Sequence, residues 1–221
     1  MEAMLMLISP ESYYENELKG KSISHIKSEI RRLRKWFDDS KYKAEECLRL
    51  RRWDIRPSYS MRARFAREYL EKAKQALVEA GGEYIFTQKE KIDDAFNNEV
   101  DKICNIYFEI GGFWGGRDCK NFFVDSKRVF VQTYKLPSDG EYTAFCIRQH
   151  ELSSSEFLEE IKSLHLSEWK KEYVDDEILD GTQWALQINF TNGRKKKVYG
   201  SNAYPYNFDR LMNLLCPEEE E

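Results

Sequence analysis

The most unusual local string in the sequence is Gly111-Gly112-Phe113-Trp114-Gly115-Gly116-Arg117. Glycine pairs on either side leave the backbone free to form a lip. Phe113 and Trp114 offer faces on which a base or ring can stack, and Arg117 offers a fork for a phosphate. The same string also reads as a wide hairpin loop whose glycines permit bulges and whose aromatics roof a core. It is no Walker loop, since no Lys-Ser/Thr follows, and it lacks the G-x-G-x-x-G spacing of a dinucleotide site. A second group is cationic: Arg31, Arg32, Arg34, Lys35, Arg49, Arg52, Arg62, Arg64 and Arg67, with Trp36, Trp53, Tyr59 and Phe65 interleaved. Guanidinium forks grip phosphates and carboxylates bidentately, and neighbouring aromatics add stacking. Four uses stay open for this set: docking on the acidic remainder of the chain, binding nucleic acid, binding an acidic protein, or coating an ordinary solvated face.

Catalytic signatures do not stand out. His25, His150 and His165 have no metal-ligand spacing, and neither a nucleophile elbow nor a paired-carboxylate pattern is present. Arg148, His150 and Glu151 cluster near a strand end, a trio that arises easily by chance. The five cysteines (Cys47, Cys104, Cys119, Cys146 and Cys216) are scattered, with no C-x-x-C or C-x-x-H pair, and read as free thiols in a reducing cytosol. No catalytic residue, metal or cofactor is therefore expected.

Charge is segregated. Between Lys19 and Gln75 eighteen Lys/Arg face eight Asp/Glu, ten net positive charges in a chain whose total is −4. From Ser153 to Asp180 nine Asp/Glu face three Lys. A carboxylate row of that kind can imitate a phosphate backbone, although acidic helices are usually only soluble. Segregation on this scale points to an electrostatic partner. The Met4–Ile8 run is too short to cross a bilayer and lacks the flanks of a secretory signal, so a cytoplasmic protein without membrane contact is expected.

The elements that must position these groups are legible by period. Ser22 is a helix N-cap followed by Ile23, Ile26, Ile30, Leu33 and Phe37 at 3-4-3-4 spacing. A second helix begins near Ser58 or Ser60. It carries Ala66, Leu70, Ala73, Leu77 and Ala80, and stops at Gly81-Gly82. Two such stripes bury each other most simply as an antiparallel helical hairpin. Pattern leaves Lys41–Arg56 open between helix and loop. Thr87-Gln88-Lys89-Glu90 is a capping box that opens a third helix.

Beyond Cys104 the period falls towards two. Strands are expected at 106–110, 121–124, 129–136 and 141–148, then a helix from the second capping box, Ser153 with Glu156. Trp184, Leu186, Ile188 and Phe190 alternate along the clearest strand, which turns at Asn192-Gly193. A three-residue loop with Gly193 left-handed sets Val198 opposite Leu186, which keeps the apolar face intact. Arg194-Lys195-Lys196-Lys197 then reads as an edge guarded against sheet-to-sheet pairing. A short helix at 207–215 closes the order.

The fold class is therefore α+β: an N-terminal antiparallel helical hairpin plus a six-stranded, mostly antiparallel sheet with helices on one face. The expected division is a basic hairpin over 1–83, a connecting helix over 84–104, a sheet domain over 105–217 and an acidic tail over 218–221.

The stretch Gly181-Thr182-Gln183-Trp184 … Asn192-Gly193 … Tyr199-Gly200-Ser201-Asn202-Ala203-Tyr204-Pro205-Tyr206-Asn207-Phe208 resembles the C-terminal block of uncharacterised bacterial proteins, many from gut anaerobes. Ser9-Pro10-Glu11-Ser12-Tyr13-Tyr14 resembles the opening of the same group. The resemblance implies a bacterial, cytoplasmic or mobile-element origin and carries no assigned activity. Together these readings favour a non-enzymatic protein that works by protein–protein interaction, as an inhibitor or accessory factor of a mobile-element or defence system. The alternative is a nucleic-acid-binding accessory protein using the arginine-rich hairpin.

Overall fold

The computed structural model describes residues 7–52, 56–112, 115–136, 144–178 and 180–217, and of 144–152 the backbone alone. The chain divides between Phe86 and Thr87 into a helical unit and a sheet unit.

The helical unit opens with α1 (Pro10–Tyr13) and a π-turn (Tyr14–Leu18), followed by α2 (Ile23–Arg49) and α3 (Tyr59–Glu79). Ser22 and Ser58 cap the two long helices by accepting from His25 N and Met61 N. The segment that pattern leaves open resolves as helix as far as Arg49. Ser40 and Ala44 carry the buried stripe of α2 onward, so the apolar period outlasts the charged composition. The pairing is antiparallel: Lys43 sits over Tyr59, Arg67 over Phe37 and Trp36 beside Tyr69.

Ala63, Ala66 and Ala73 are fully buried, and these small side chains let the backbones approach closely. Ala80 lies outside the seam and is exposed, because α3 ends at Glu79 and Gly81 turns left-handed (φ 78°). Gly82 N then donates to Leu77 O (2.8 Å) and closes the helix end. The entry segment is clasped by Tyr69, whose hydroxyl donates to Ile8 O (2.6 Å) and accepts from Ile8 N (3.0 Å). Tyr13 stacks on the same ring at 4.1 Å.

The sheet unit comprises α4 (Gln88–Asn97), a 3-10 turn (Val100–Lys102), β1 (Ile103–Gly112), β2 (Gly116–Val124), β3 (Arg128–Leu136), β4 (Ala144–Ser153), α5 (Ser154–Ser163), a 3-10 turn (Leu166–Glu168), β5 (Glu172–Val174), β6 (Thr182–Phe190), β7 (Lys195–Ser201) and α6 (Phe208–Leu215). Both capping boxes form, Thr87 with Glu90 and Ser153 with Glu156. The helix from Thr87, expected as a connector, contributes Phe96 to the core of this unit, and the turn after it contributes Val100.

The sheet runs β4-β3-β2-β1-β6-β7-β5. Six strands form the expected antiparallel sheet, and β5 adds three residues parallel to β7. Leu186 faces Val198 and Gly193 is left-handed (φ 82°), the register that keeps the apolar face whole. The inner face carries Ile106, Phe108, Phe122, Val131, Leu186, Ile188 and Val198 into one core with Phe157, Ile161, Phe208 and Leu211, so α4, α5 and α6 cover the same side. Phe122 stacks on Phe157 at 5.6 Å.

Candidate functional site

Packing sorts the cations of the helical unit into three groups. Arg62 is buried: its Nε donates to Pro57 O (3.0 Å) and its guanidinium lies 5.2 Å from the Tyr59 ring, so it braces the start of α3. A partner-binding role for Arg62 is therefore corrected to a structural one.

A second group lies against aromatic rings or carboxylates. Arg34 Nη2 donates to Tyr84 OH (2.6 Å), Arg67 stands 4.6 Å from the Phe37 ring, and Arg64 stands over Phe65 and pairs with Glu68 at 3.6 Å. Arg32 donates to Glu29 (2.7 Å) and to Tyr13 OH (3.2 Å). Two of the interleaved aromatics, Tyr59 and Phe65, thus serve as plates for arginines of the same unit.

The third group faces outward. On α2, Ser24, Ser28, Arg31, Lys35, Asp38 and Tyr42 follow one another at 4-3-4-3-4 spacing, opposite the buried row. Arg31 and Lys35 are exposed and pair with no carboxylate among the described residues, and Tyr42 is 66% exposed. Arg49 is half-buried in the last turn of α2, and Arg52 is exposed beyond it. Arg64 lies on the side of α3 away from α2, and Arg31 and Lys35 lie on the side of α2 away from α3. The cations grouped by sequence thus fall into separate patches. Tyr42 is absent from the expected set, although its spacing from Arg31 and Lys35 is readable once α2 is known to continue past Lys41.

The Tyr13–Glu29–Arg32 cluster ties α1 to α2. Tyr13 OH donates to Glu29 Oε2 (2.8 Å). Burial alone would raise the Glu29 carboxyl, but Arg32 and Tyr13 hold it below the usual value of 4.5. Burial, then the Glu29 carboxylate, push the Tyr13 hydroxyl well above its usual 10. A depressed acid contributes stability above its unfolded value and loses it as pH falls. A raised phenol contributes below its unfolded value and loses it as pH rises. Thermal melting by circular dichroism should therefore decline at both ends of the pH scale. Glu29→Gln should flatten the acid arm and Tyr13→Phe the alkaline arm, and variants with unchanged profiles would contradict this assignment.

In the sheet unit, Phe113 and Trp114 of the glycine-flanked string lie outside the described residues. Its glycines end the β1–β2 hairpin, with Gly112 opposite Gly116 and Gly116 left-handed (φ 73°). Arg117 points across the open sheet face. Its Nη1 donates to Glu109 Oε1 (2.6 Å) and its Nη2 to Gln183 Oε1 (3.0 Å). Tyr107 OH donates to Glu109 Oε2 (2.5 Å), and burial first, then the hydrogen bonds it donates to Cys119 and Glu109, push it far above an ordinary tyrosine. Cys119 beside it is buried, which raises its thiol.

Further along the same face the amides form a directed chain. Gln187 Nε2 donates to Asn189 Oδ1 (2.9 Å), Asn189 Nδ2 to Asn105 Oδ1 (2.8 Å), and Asn105 Nδ2 to Asn121 Oδ1 (2.6 Å). Sequence reasoning missed this platform. The outward positions of β1 and β2 become neighbours only when Tyr107 is set opposite Asn121 and Gln187.

Asp93 is a buried carboxylate of this unit. His165 Nδ1 lies 2.7 Å from its Oδ2, and Ser167 Oγ donates to its Oδ1. The serine binds the carboxylate rather than the imidazole, so the trio lacks a nucleophile–base contact and instead clamps the turn after α5 onto α4. Arg148, His150 and Glu151 belong to the stretch whose side chains lie outside the described ones. Among the described residues no group of three His, Cys, Asp or Glu is placed to hold a metal ion, and no helix is long and apolar enough to cross a membrane.

No protein-family model matches the chain, and no curated protein or solved structure matches it. The residues of the C-terminal block have packing roles. Trp184 Nε1 donates to Ala203 O (3.0 Å), Trp169 Nε1 to Asn207 Oδ1 (3.0 Å) and Asn207 Nδ2 to Leu164 O (2.8 Å), while Gly181 leaves room for the Asn202 side chain.

Proposed function

We propose that the protein is a cytoplasmic, non-enzymatic binding protein whose α2 outer face docks on an acidic protein partner, as an accessory factor or inhibitor in a bacterial mobile-element or defence setting. The observation that carries this reading is the row Arg31, Lys35 and Tyr42: two cations without carboxylate partners among the described residues, aligned with a tyrosine that is 66% exposed. Tyrosine and arginine are the residue types that concentrate binding energy in protein interfaces, and a preformed helix adds little ordering cost. Asp38 in the same row favours a protein over a phosphate backbone, because a mixed-charge partner can pair it whereas a polyphosphate repels it. The resemblance of the C-terminal block to uncharacterised bacterial proteins, with the mobile-element origin it implies, supports the setting.

The test is a quantitative comparison of proteins captured from a bacterial host lysate by the wild type and by Arg31→Glu/Lys35→Glu and Tyr42→Ala. An acidic protein retained by the wild type should be lost from both variants. Their melting temperatures should stay within the shift of about 0.5 kcal/mol typical of surface changes. Identical retention by all three proteins overturns the reading.

A further inference from the structure

The sheet face opposite α4, α5 and α6 combines three features that a purely structural surface does not require together. Lys195 and Lys197 occupy alternate positions on β7 and point to this face, about 7 Å apart along the strand. Both are exposed and neither has a carboxylate partner among the described residues. Beside them the amide chain runs in one direction from Gln187 to Asn121. That direction leaves Gln187 Oε1, one N–H of Asn189 and the Asn121 amide hydrogens without hydrogen bonds among the described residues. In the row that begins at Lys195 and crosses Asn189 and Asn105, the next position is Phe123, which is 45% exposed, with Phe130 across from it on β3.

We propose that this face binds single-stranded RNA, with Lys195 and Lys197 on successive phosphates, the Asn189 and Gln187 amides at the sugars, and Phe123 stacked under a base. The chemistry follows the order of the rows. Cations at the rim attract the backbone, and an exposed ring farther in offers a π-face that any base can cover. Between the two, amides that both donate and accept match a ribose 2′-hydroxyl, which also does both. An acidic peptide would use the lysines but leave the Phe123 ring and the unspent amides unfilled. The cations in question lie on β7, so the site is independent of the α2 face.

The experiment is fluorescence anisotropy of the full-length protein with a labelled oligouridylate of about 12 nucleotides, within the usual site size of such surfaces. Binding should be measurable at about 50 mM salt, where phosphate contacts are strong. Phe123→Ala should weaken it about tenfold. Lys195→Gln/Lys197→Gln should lower the slope of log affinity against log salt by about 1.4, two contacts at about 0.7 each for a single strand. Arg31→Glu/Lys35→Glu should bind as the wild type. Absence of binding overturns the proposal, as does equal affinity for the matching deoxyoligonucleotide or for a duplex. Loss of binding in the α2 variant together with wild-type binding by the sheet variants would place the RNA on the hairpin and overturn this proposal. The acidic-protein reading falls separately, if α2 variants retain every captured protein.

Discussion

Gly200→Ala is expected to destabilise the sheet unit by about 3 kcal/mol, the upper end of overpacking costs. A Cβ at this position would stand 2.0 Å from Trp184 Nε1 and 2.1 Å from Cε2. The ring has no room to retreat. Trp184 is buried, donates to Ala203 O and is packed by Trp169, Tyr173 and Phe208. Either the indole leaves its pocket or β6 and β7 separate locally.

Trp184→Leu removes the indole that the new methyl would strike, so the double variant Trp184→Leu/Gly200→Ala should be more stable than the sum of the two single losses by at least about 1 kcal/mol. Urea unfolding of the four proteins measures this coupling. Strict additivity would show that the glycine matters for something other than the indole.

Ala73→Leu should destabilise the helical unit by about 2–3 kcal/mol, whereas the same change at Ala80 should have almost no effect. Ala73 is fully buried in the cluster with Ile26, Ile30 and Leu33, where a larger side chain must push the helices apart. Ala80 lies just past the end of α3 and is exposed. Hydrogen exchange localises the result: backbone amides of α2 and α3 should lose protection in the first variant and keep it in the second. Equal protection in both would mean that the seam tolerates the extra volume.

The contrast between these two alanines also shows what a sequence can disclose. Period and caps are local rules, so Ser22, Ser58 and both capping boxes could be placed from the chain alone, as could the one-residue choice of register at Gly193. What failed to show required partners distant in sequence. Ala80 continues the helical spacing of its neighbours, and only the left-handed turn at Gly81 removes it from the seam. β5 is three residues long, too short to display any period, and exists because Tyr199–Ser201 offers it a partner.

Arg62 looked like its neighbours Arg64 and Arg67, yet its spacing puts it on the buried side of α3, where the Pro57 carbonyl and the Tyr59 ring receive it. The polar platform was the least legible part. In β2 the cysteine faces outward with Asn121, and Lys120 shares the inner side with Phe122, which inverts the usual reading of polarity. The basic composition of the first third was plain, but which cations remain available is decided by where the aromatic rings fall.

β5 lies beside Tyr199–Asn202, so the stretch from Lys195 to Val198 keeps a row of backbone donors and acceptors on its outer side with no described strand beside it. That row is a template to which another extended chain can attach, and the ammonium groups flanking it are what keep such a chain away. Acetylating those lysines would leave the fold untouched and remove the repulsion. Pairing of a second chain at this edge is thus opposed by a few local charges, to which the −4 of the whole molecule is a poor guide.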